Sequence, residues 1–133
     1  FAGNAFRFEN DFVRRLARAG RAVVFDPEAE VLHFYGSPGG AGNRHLRGRD
    51  PRSHAWYAAF FHNHVYCDLK HTPRRHLPGL WWRLYRSHVL NGPYLSEGPG
   101  FVARRHAAFV RGAVAGVRSW RALRRGERDA RRD

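Results

Sequence analysis

The stretch FRFENDFVRRLARAGRAVVFDPEAEVLH, residues 6–33, decides the fold class that the sequence predicts. Its first half has a helical pattern over residues 10–19. Phe12 and Leu16 are four residues apart, which places them on one helix face, and the arginines fall outside that face. Gly20 follows at a position where helices commonly end. The sequence therefore predicts an amphipathic helix at the start of this stretch.

Two short runs that are typical of strands follow this helix. AVVFD at residues 22–26 is rich in β-branched side chains, and EVLHF at residues 30–34 is the second run. Pro27 turns the chain between them. Because two short strands cannot form a stable sheet alone, they need strands from elsewhere. We therefore expect an α/β fold, in which this helix–strand–strand unit is the back end of a larger domain.

The rest of the chain has a helical pattern. A Gly-rich segment at residues 35–50 is a long loop of the kind that is usually functional or disordered. Helices are predicted at residues 53–71, 80–90 and 101–123. The start of the first helix, HAWYAAFF at residues 54–61, is apolar on nearly all sides, so this end should be buried. We expect three parts: residues 1–50 as the end of the α/β domain, 51–124 as a helical extension and 125–133 as a disordered basic tail.

The composition limits the kinds of partner. The formal net charge of +13 favours an anionic partner, which could be nucleic acid, lipid phosphate or a phosphorylated substrate. Cys67 is the only cysteine, so neither a disulfide framework nor a cysteine-based zinc site forms within this sequence, and a reducing compartment is expected. No apolar run is long enough for a transmembrane helix. The chain contains no methionine, and we expect it to be a fragment.

The opening stretch resembles the C-terminal part of the catalytic domain of family 2 glycosyltransferases, which have the GT-A fold. The residues that carry this resemblance are Glu9, Asp11, Phe12, Arg15, Leu16, Arg18, Ala19, Gly20, Val24, Phe25, Pro27, Ala29, Val31 and His33. The resemblance implies an enzyme that transfers a sugar from a nucleotide-diphospho-sugar to a hydroxyl of a saccharide or lipid-linked acceptor, with inversion as the expected stereochemistry.

The resemblance also implies a catalytic base. Inverting transfer needs a carboxylate that accepts the proton of the attacking hydroxyl. The position of the family's base corresponds to Glu9, although the family more often has Asp there, and Phe8 replaces the preceding acid. Either Glu9 is the base, with a longer reach, or Asp11 has taken over the role. From the residues alone, both carboxylates could simply favour the start of a helix.

A metal ligand and a substrate-binding loop follow from the same resemblance. His33 corresponds to a histidine that ligates the divalent cation, Mn or Mg, which holds the nucleotide diphosphate. The family's other ligands, an Asp-x-Asp pair, do not occur in this sequence. The segment 35–50 corresponds to a mobile loop over donor and acceptor. Its residues that could bind phosphate are Arg44, His45, Arg47 and Arg49.

Two weaker patterns lie in the predicted helices. His64, Asp68 and His71 have a spacing that can hold a metal, but a helix of this kind without a fourth ligand is usually not a site. Trp81 and Trp82 stand among arginines, which is typical of a helix that contacts an anionic membrane surface. The alternative is that Trp81 packs inside the protein and the arginines are solvated.

Two functions other than glycosyl transfer remain open at this point. The charge and the interleaved aromatic residues would suit a basic nucleic-acid-binding module, but the arginines are spread over every segment and no specific nucleic-acid motif occurs. A membrane-surface adaptor without catalysis rests on the Trp81–Trp82 helix alone. For the enzyme we expect a cytoplasmic location, with peripheral contact to the inner face of the membrane as a further expectation.

Overall fold

The described part of the chain is helical. The computed structural model describes residues 7–24, 26–29 and 54–130. Its elements are α1 (Phe8–Arg18), α2 (His54–His71), a 3₁₀ turn (Arg74–His76), α3 (Leu77–His88), α4 (Gly92–Leu95) and α5 (Pro99–Asp129). Within these ranges no residue is in a strand. The predicted helices are present, with ends that differ from the sequence-based bounds by a few residues.

The predicted α/β fold class, with its GT-A strands, is wrong. The first predicted strand, at residues 22–26, has no strand conformation at any described position. Val23 is 53% exposed and Val24 is 81% exposed, so neither face of this segment is buried. A strand is stable only when a neighbour takes up its backbone hydrogen bonds and one face is covered. The second predicted strand, at residues 30–34, lies outside the described residues.

Helix α2 forms the centre of the molecule. The sequence predicted burial for the end at residues 54–61, and Tyr57, Phe60 and Phe61 of this end are buried. Its fully or almost fully buried apolar residues are Tyr57, Phe60, Phe61, Val65 and Cys67. Tyr57, Phe60 and Phe61 form one cluster with Leu84 of α3, Val89 just after α3, and Ala108 of α5. The core is therefore built around one helix that has partners on several sides.

Helix α5 lies very close to α2, and two glycines allow this. A Cβ atom added at Gly112 would come within 2.8 Å of the Cβ of Phe61, and one added at Gly116 within 2.7 Å of the carbonyl oxygen of His62. Real Cβ atoms do not approach other atoms so closely, so only glycine fits at these positions. The two helices pack backbone against backbone along this stripe.

Short turns bring α3 and α4 back to the core. Pro73 precedes the 3₁₀ turn, and Pro78 stands in the first turn of α3, where a missing N–H costs nothing. Gly98 has φ +93°, a conformation that favours glycine, and Pro99 then begins α5. Helix α5 continues to Asp129, so residues 125–129, which the sequence placed in a disordered tail, are helical.

Helix α1 packs on the C-terminal end of α2 through polar groups. The sequence predicted an amphipathic helix with Phe12 and Leu16 on one face. Leu16 is half-buried, but Phe12 is 52% exposed, and the buried residue of α1 is Asp11. The helix is held by ion pairs with the end of α2, so its apolar face does not point into the core.

Candidate functional site at the junction of α1 and α2

Asp11 is the centre of a cluster of charged groups between α1 and α2. Its carboxylate accepts a hydrogen bond of 2.7 Å from Nε2 of His71 and lies 2.8 Å from Nζ of Lys70. Nε of Arg15, one turn later on α1, is 3.2 Å from its other oxygen. Only 6% of the Asp11 side chain is exposed. The carboxylate thus has three donors and little contact with solvent.

The protonation states in this cluster follow from its geometry. Burial by itself raises the pKa of Asp11, but the hydrogen bonds and charges of Lys70 and His71 outweigh it, so the pKa is lowered from its ordinary value. Burial lowers the pKa of His71, and Asp11 offsets this only in part. At neutral pH, His71 is therefore a neutral N–H donor, and Lys70 supplies the positive charge that pairs with Asp11.

A second ion pair supports the same junction. Arg7, just before α1, donates from Nη2 to Oδ1 of Asp68 at 3.0 Å. Arg7 has φ +74°, a conformation that costs free energy for any residue with a Cβ. Burial raises the pKa of Asp68, against the attraction of Arg7 and Arg14. The ion pair compensates for the backbone conformation of Arg7 and fixes the start of α1 on α2.

Glu9 differs from Asp11 in its surroundings. It lies in the first turn of α1, and its side chain is exposed. Neither carboxylate caps the helix, because the N-cap residue is Arg7 and no side chain bonds to the free N–H groups there. Of the two predicted catalytic acids, Glu9 is accessible to a substrate and Asp11 is used in packing.

The other predicted site residues fall outside the described residues. These are His33, Arg44, His45, Arg47 and Arg49. Their roles stay predictions. In the ranges that the structure describes, no group of three or more histidine, cysteine or acidic side chains could hold a metal ion.

The three residues with metal-like spacing on α2 have separate environments. His71 is bonded to Asp11, and Asp68 is paired with Arg7. His64 lies against the ring of Phe60, with 4.4 Å between the ring centres. Burial, together with the charges of Arg7 and His88, lowers the pKa of His64 to about 3. In this structure the three side chains therefore take part in three separate sets of contacts.

A set of linked hydrogen bonds joins α2 to α5, and sequence reasoning missed it. Nε2 of His62 is 2.9 Å from Oγ of Ser119, and Nδ1 is 2.8 Å from Oδ1 of Asn63. This order of hydroxyl, imidazole and amide resembles that of a nucleophile with its base. However, Ser119 lies inside a helix, where the backbone N–H groups are already bonded and cannot form an oxyanion hole. We interpret these hydrogen bonds as a polar link between α2 and α5.

Arg105 is a second feature that sequence reasoning missed. It is fully buried, and its guanidinium carbon lies 3.3 Å from the ring centre of Tyr57, 4.7 Å from that of Tyr94 and 5.0 Å from that of Phe101. Burial and the hydrogen bond to the Tyr94 hydroxyl raise the pKa of Tyr57 to about 12, although Arg105 opposes the shift. The sequence did contain a sign of this burial, because Arg105 lies on the same face of the helix as Phe101 and Gly112.

Comparison with known proteins gives no relative: no protein-family model, no curated protein and no solved structure matches the chain. Among the described helices, none is both long and apolar enough to cross a membrane. The function must therefore be inferred from the residues and their geometry.

Proposed function

We propose that the chain is part of a glycosyltransferase that uses a nucleotide-diphospho-sugar donor, and that Glu9 is its catalytic base. The resemblance of residues 6–33 to family 2 glycosyltransferases supports the reaction class. The observation that carries the choice of base is the exposure of Glu9 beside a buried Asp11. We place the reaction in the cytoplasm, since the only cysteine, Cys67, is a buried free thiol.

The proposed chemistry at Glu9 is a single proton transfer. The acceptor hydroxyl attacks the anomeric carbon of the donor, a new carbon–oxygen bond forms, and the bond to the diphosphate breaks. Glu9 accepts the hydroxyl proton during this attack. An accessible carboxylate can reach a hydroxyl at hydrogen-bond distance. Asp11 is less suited, because a carboxylate with three donors and a lowered pKa is a weak proton acceptor.

The binding of the donor and of the metal ion is proposed from the resemblance alone. It implies that Mn or Mg binds at His33 and that further ligands lie outside this sequence. The phosphate-binding role of Arg44, His45, Arg47 and Arg49 belongs to the same proposal.

The test is the substitution Glu9→Gln in the complete natural polypeptide that contains these residues. Nucleotide sugars are screened with Mn or Mg for release of the nucleoside diphosphate, with and without saccharide acceptors. We expect Glu9→Gln to lower turnover by at least about 100-fold, because a general base contributes roughly 10²–10⁴. Donor binding, measured by calorimetry, should stay the same.

The matched control is Glu28→Gln, which removes an exposed carboxylate elsewhere in the described chain. It should leave turnover unchanged. If Glu9→Gln retains most of the activity, Glu9 is not the base. If the polypeptide binds none of the nucleotide sugars or diphosphates with either metal, the proposed reaction class is wrong.

A further inference from the structure

Helix α5 has two different faces. The face toward α2 contains its buried residues, which are Phe101, Arg105, Ala108, Gly112 and Gly116. Over residues 103–117 the opposite face is also apolar and consists of small side chains, before Arg121 continues the same line. We call Ala103, Ala107, Val110, Val114 and Val117 the outer strip. Val110 and Val114 are each 44% exposed. Since the core is already on the other side, the outer strip is not explained by packing in the described part of the chain.

A row of arginines runs along one edge of the outer strip. Arg104, Arg111, Arg118 and Arg125 recur at intervals of seven residues, which keeps them on one side of the helix. All four are exposed. The sequence contains no acidic residue from position 99 to position 126, so nothing on the helix neutralises the row before Glu127. We call these four residues the arginine row.

An exposed tryptophan lies close to the same helix. Trp82 on α3 is 58% exposed and stacks on Tyr85, with 6.1 Å between the ring centres. The Tyr85 hydroxyl lies 3.0 Å from Nδ1 of His106, and its ring packs against Phe109, both on α5. Leu77 and Leu84, in contrast, are buried. Helix α3 therefore contributes Trp82 to the surface and uses its aliphatic side chains for packing.

We propose that the outer strip and the arginine row bind an anionic lipid bilayer, with α5 lying along the surface. Helix α5 has 31 residues and is about 46 Å long. It is not apolar enough to cross a membrane. A helix with a narrow apolar strip and arginines at its edge lies in the interface, where the arginine stems cover apolar surface and the guanidinium groups meet phosphate. Trp82 suits the headgroup level.

The charge and the apolar strip together favour an anionic bilayer over a second copy of the chain or nucleic acid as the partner of α5. A second copy of the chain would bring two arginine rows close together, in two chains that each have a net charge of +13. Nucleic acid would match the arginines but would leave Val110 and Val114 without a role, because phosphate contacts need no apolar strip. An anionic bilayer satisfies both features. This inference goes beyond the proposed function and does not depend on it.

The experiment measures co-sedimentation of the protein with phosphatidylcholine vesicles that contain or lack phosphatidylglycerol. We expect binding only when phosphatidylglycerol is present, and a steep loss of binding as salt is added. Each basic residue near an anionic surface contributes about fivefold in affinity, so Arg111→Gln with Arg118→Gln should weaken binding by about 25-fold. Val110→Ser with Val114→Ser should weaken it by about fivefold, with the same salt dependence.

The control removes the same charge elsewhere. Arg14→Gln with Arg21→Gln takes two exposed arginines from the other end of the described chain and should have a much smaller effect. Equal losses for the two double variants would mean that net charge alone drives binding and would overturn the proposal. So would unchanged binding of the valine variant, or a clear preference for an RNA oligonucleotide over the vesicles. Vesicle binding is measured without any sugar donor, so its outcome is separate from that of the glycosyl-transfer assay.

Discussion

Glu9 and Asp11 are two residues apart, yet their carboxylates have different roles. Glu9 is exposed on α1, while Asp11 is buried against Lys70 and His71 of α2. The sequence identified both as candidates and left open which one acts as the base. The partners that separate them are about sixty residues away along the chain, so no local pattern could have revealed the difference.

At this scale we predict that Asp11→Asn lowers the free energy of unfolding. The amide removes the negative charge that pairs with the partly buried Lys70, at a cost of about 1–3 kcal/mol. Urea unfolding monitored by circular dichroism measures the change. Arg15→Ala is the control: its side chain is 60% exposed, and the pair it forms with Asp11 should contribute about 0.5 kcal/mol or less. Equal midpoints for Asp11→Asn and the unchanged protein would show that the cluster does not stabilise the fold.

At the scale of elements, the contact between α2 and α5 dominates the fold. Sequence periodicity placed six residues on one stripe of α5. Three of them, Phe101, Gly112 and Gly116, are buried, and the other three, Phe109, Ala113 and Trp120, are partly exposed. Periodicity could not show that the glycines face the carbonyl oxygens of Ala58 and His62. Such a close approach depends on the relative position of two helices that are distant in the sequence.

We predict that Gly112→Ala destabilises the protein by about 1–3 kcal/mol, because the added methyl group forces the helices apart. Gly126→Ala is the matched substitution, since a Cβ at Gly126 meets nothing within 4 Å. It should stabilise the helix by up to about 1 kcal/mol, because alanine has the higher helix propensity. Thermal and urea unfolding of both variants measure the difference. If Gly112→Ala is as stable as Gly126→Ala, the close contact does not exist in solution.

At the scale of the whole molecule, a strongly cationic chain contains a partly buried histidine, His64, with a lowered pKa. His64 has its pKa lowered to about 3, mainly by burial. The folded state therefore takes up this proton much less readily than the unfolded state, whose histidine has the ordinary pKa of 6.5. Acid thus favours unfolding. The contribution of neutral His64 to the free energy of unfolding is fully present above pH 6.5 and is lost progressively as the pH decreases toward 3.

We predict a loss of about 2 kcal/mol in the free energy of unfolding between about pH 7.5 and about pH 5.0 from His64 alone. Urea unfolding across this range measures it. His64→Phe keeps a ring against Phe60 and should flatten the pH dependence, while His76→Gln, which changes an exposed histidine, should not. A slope that is the same in His64→Phe would mean that His64 is not kept neutral in the fold.

The sequence by itself determined the positions of the long helices, the burial of aromatic residues at the start of α2 and the cationic character, because helical periodicity, breaker residues and charge are local properties. From the sequence we also predicted a resemblance of residues 6–33 to glycosyltransferases, and the proposed function depends on that prediction. Only the tertiary structure decided that residues 22–24 are not a strand, that Asp11 is buried and Glu9 exposed, and that Arg105 lies among aromatic rings. These outcomes depend on which groups from distant parts of the chain meet, because burial and pairing set the free energy of a strand or a charge.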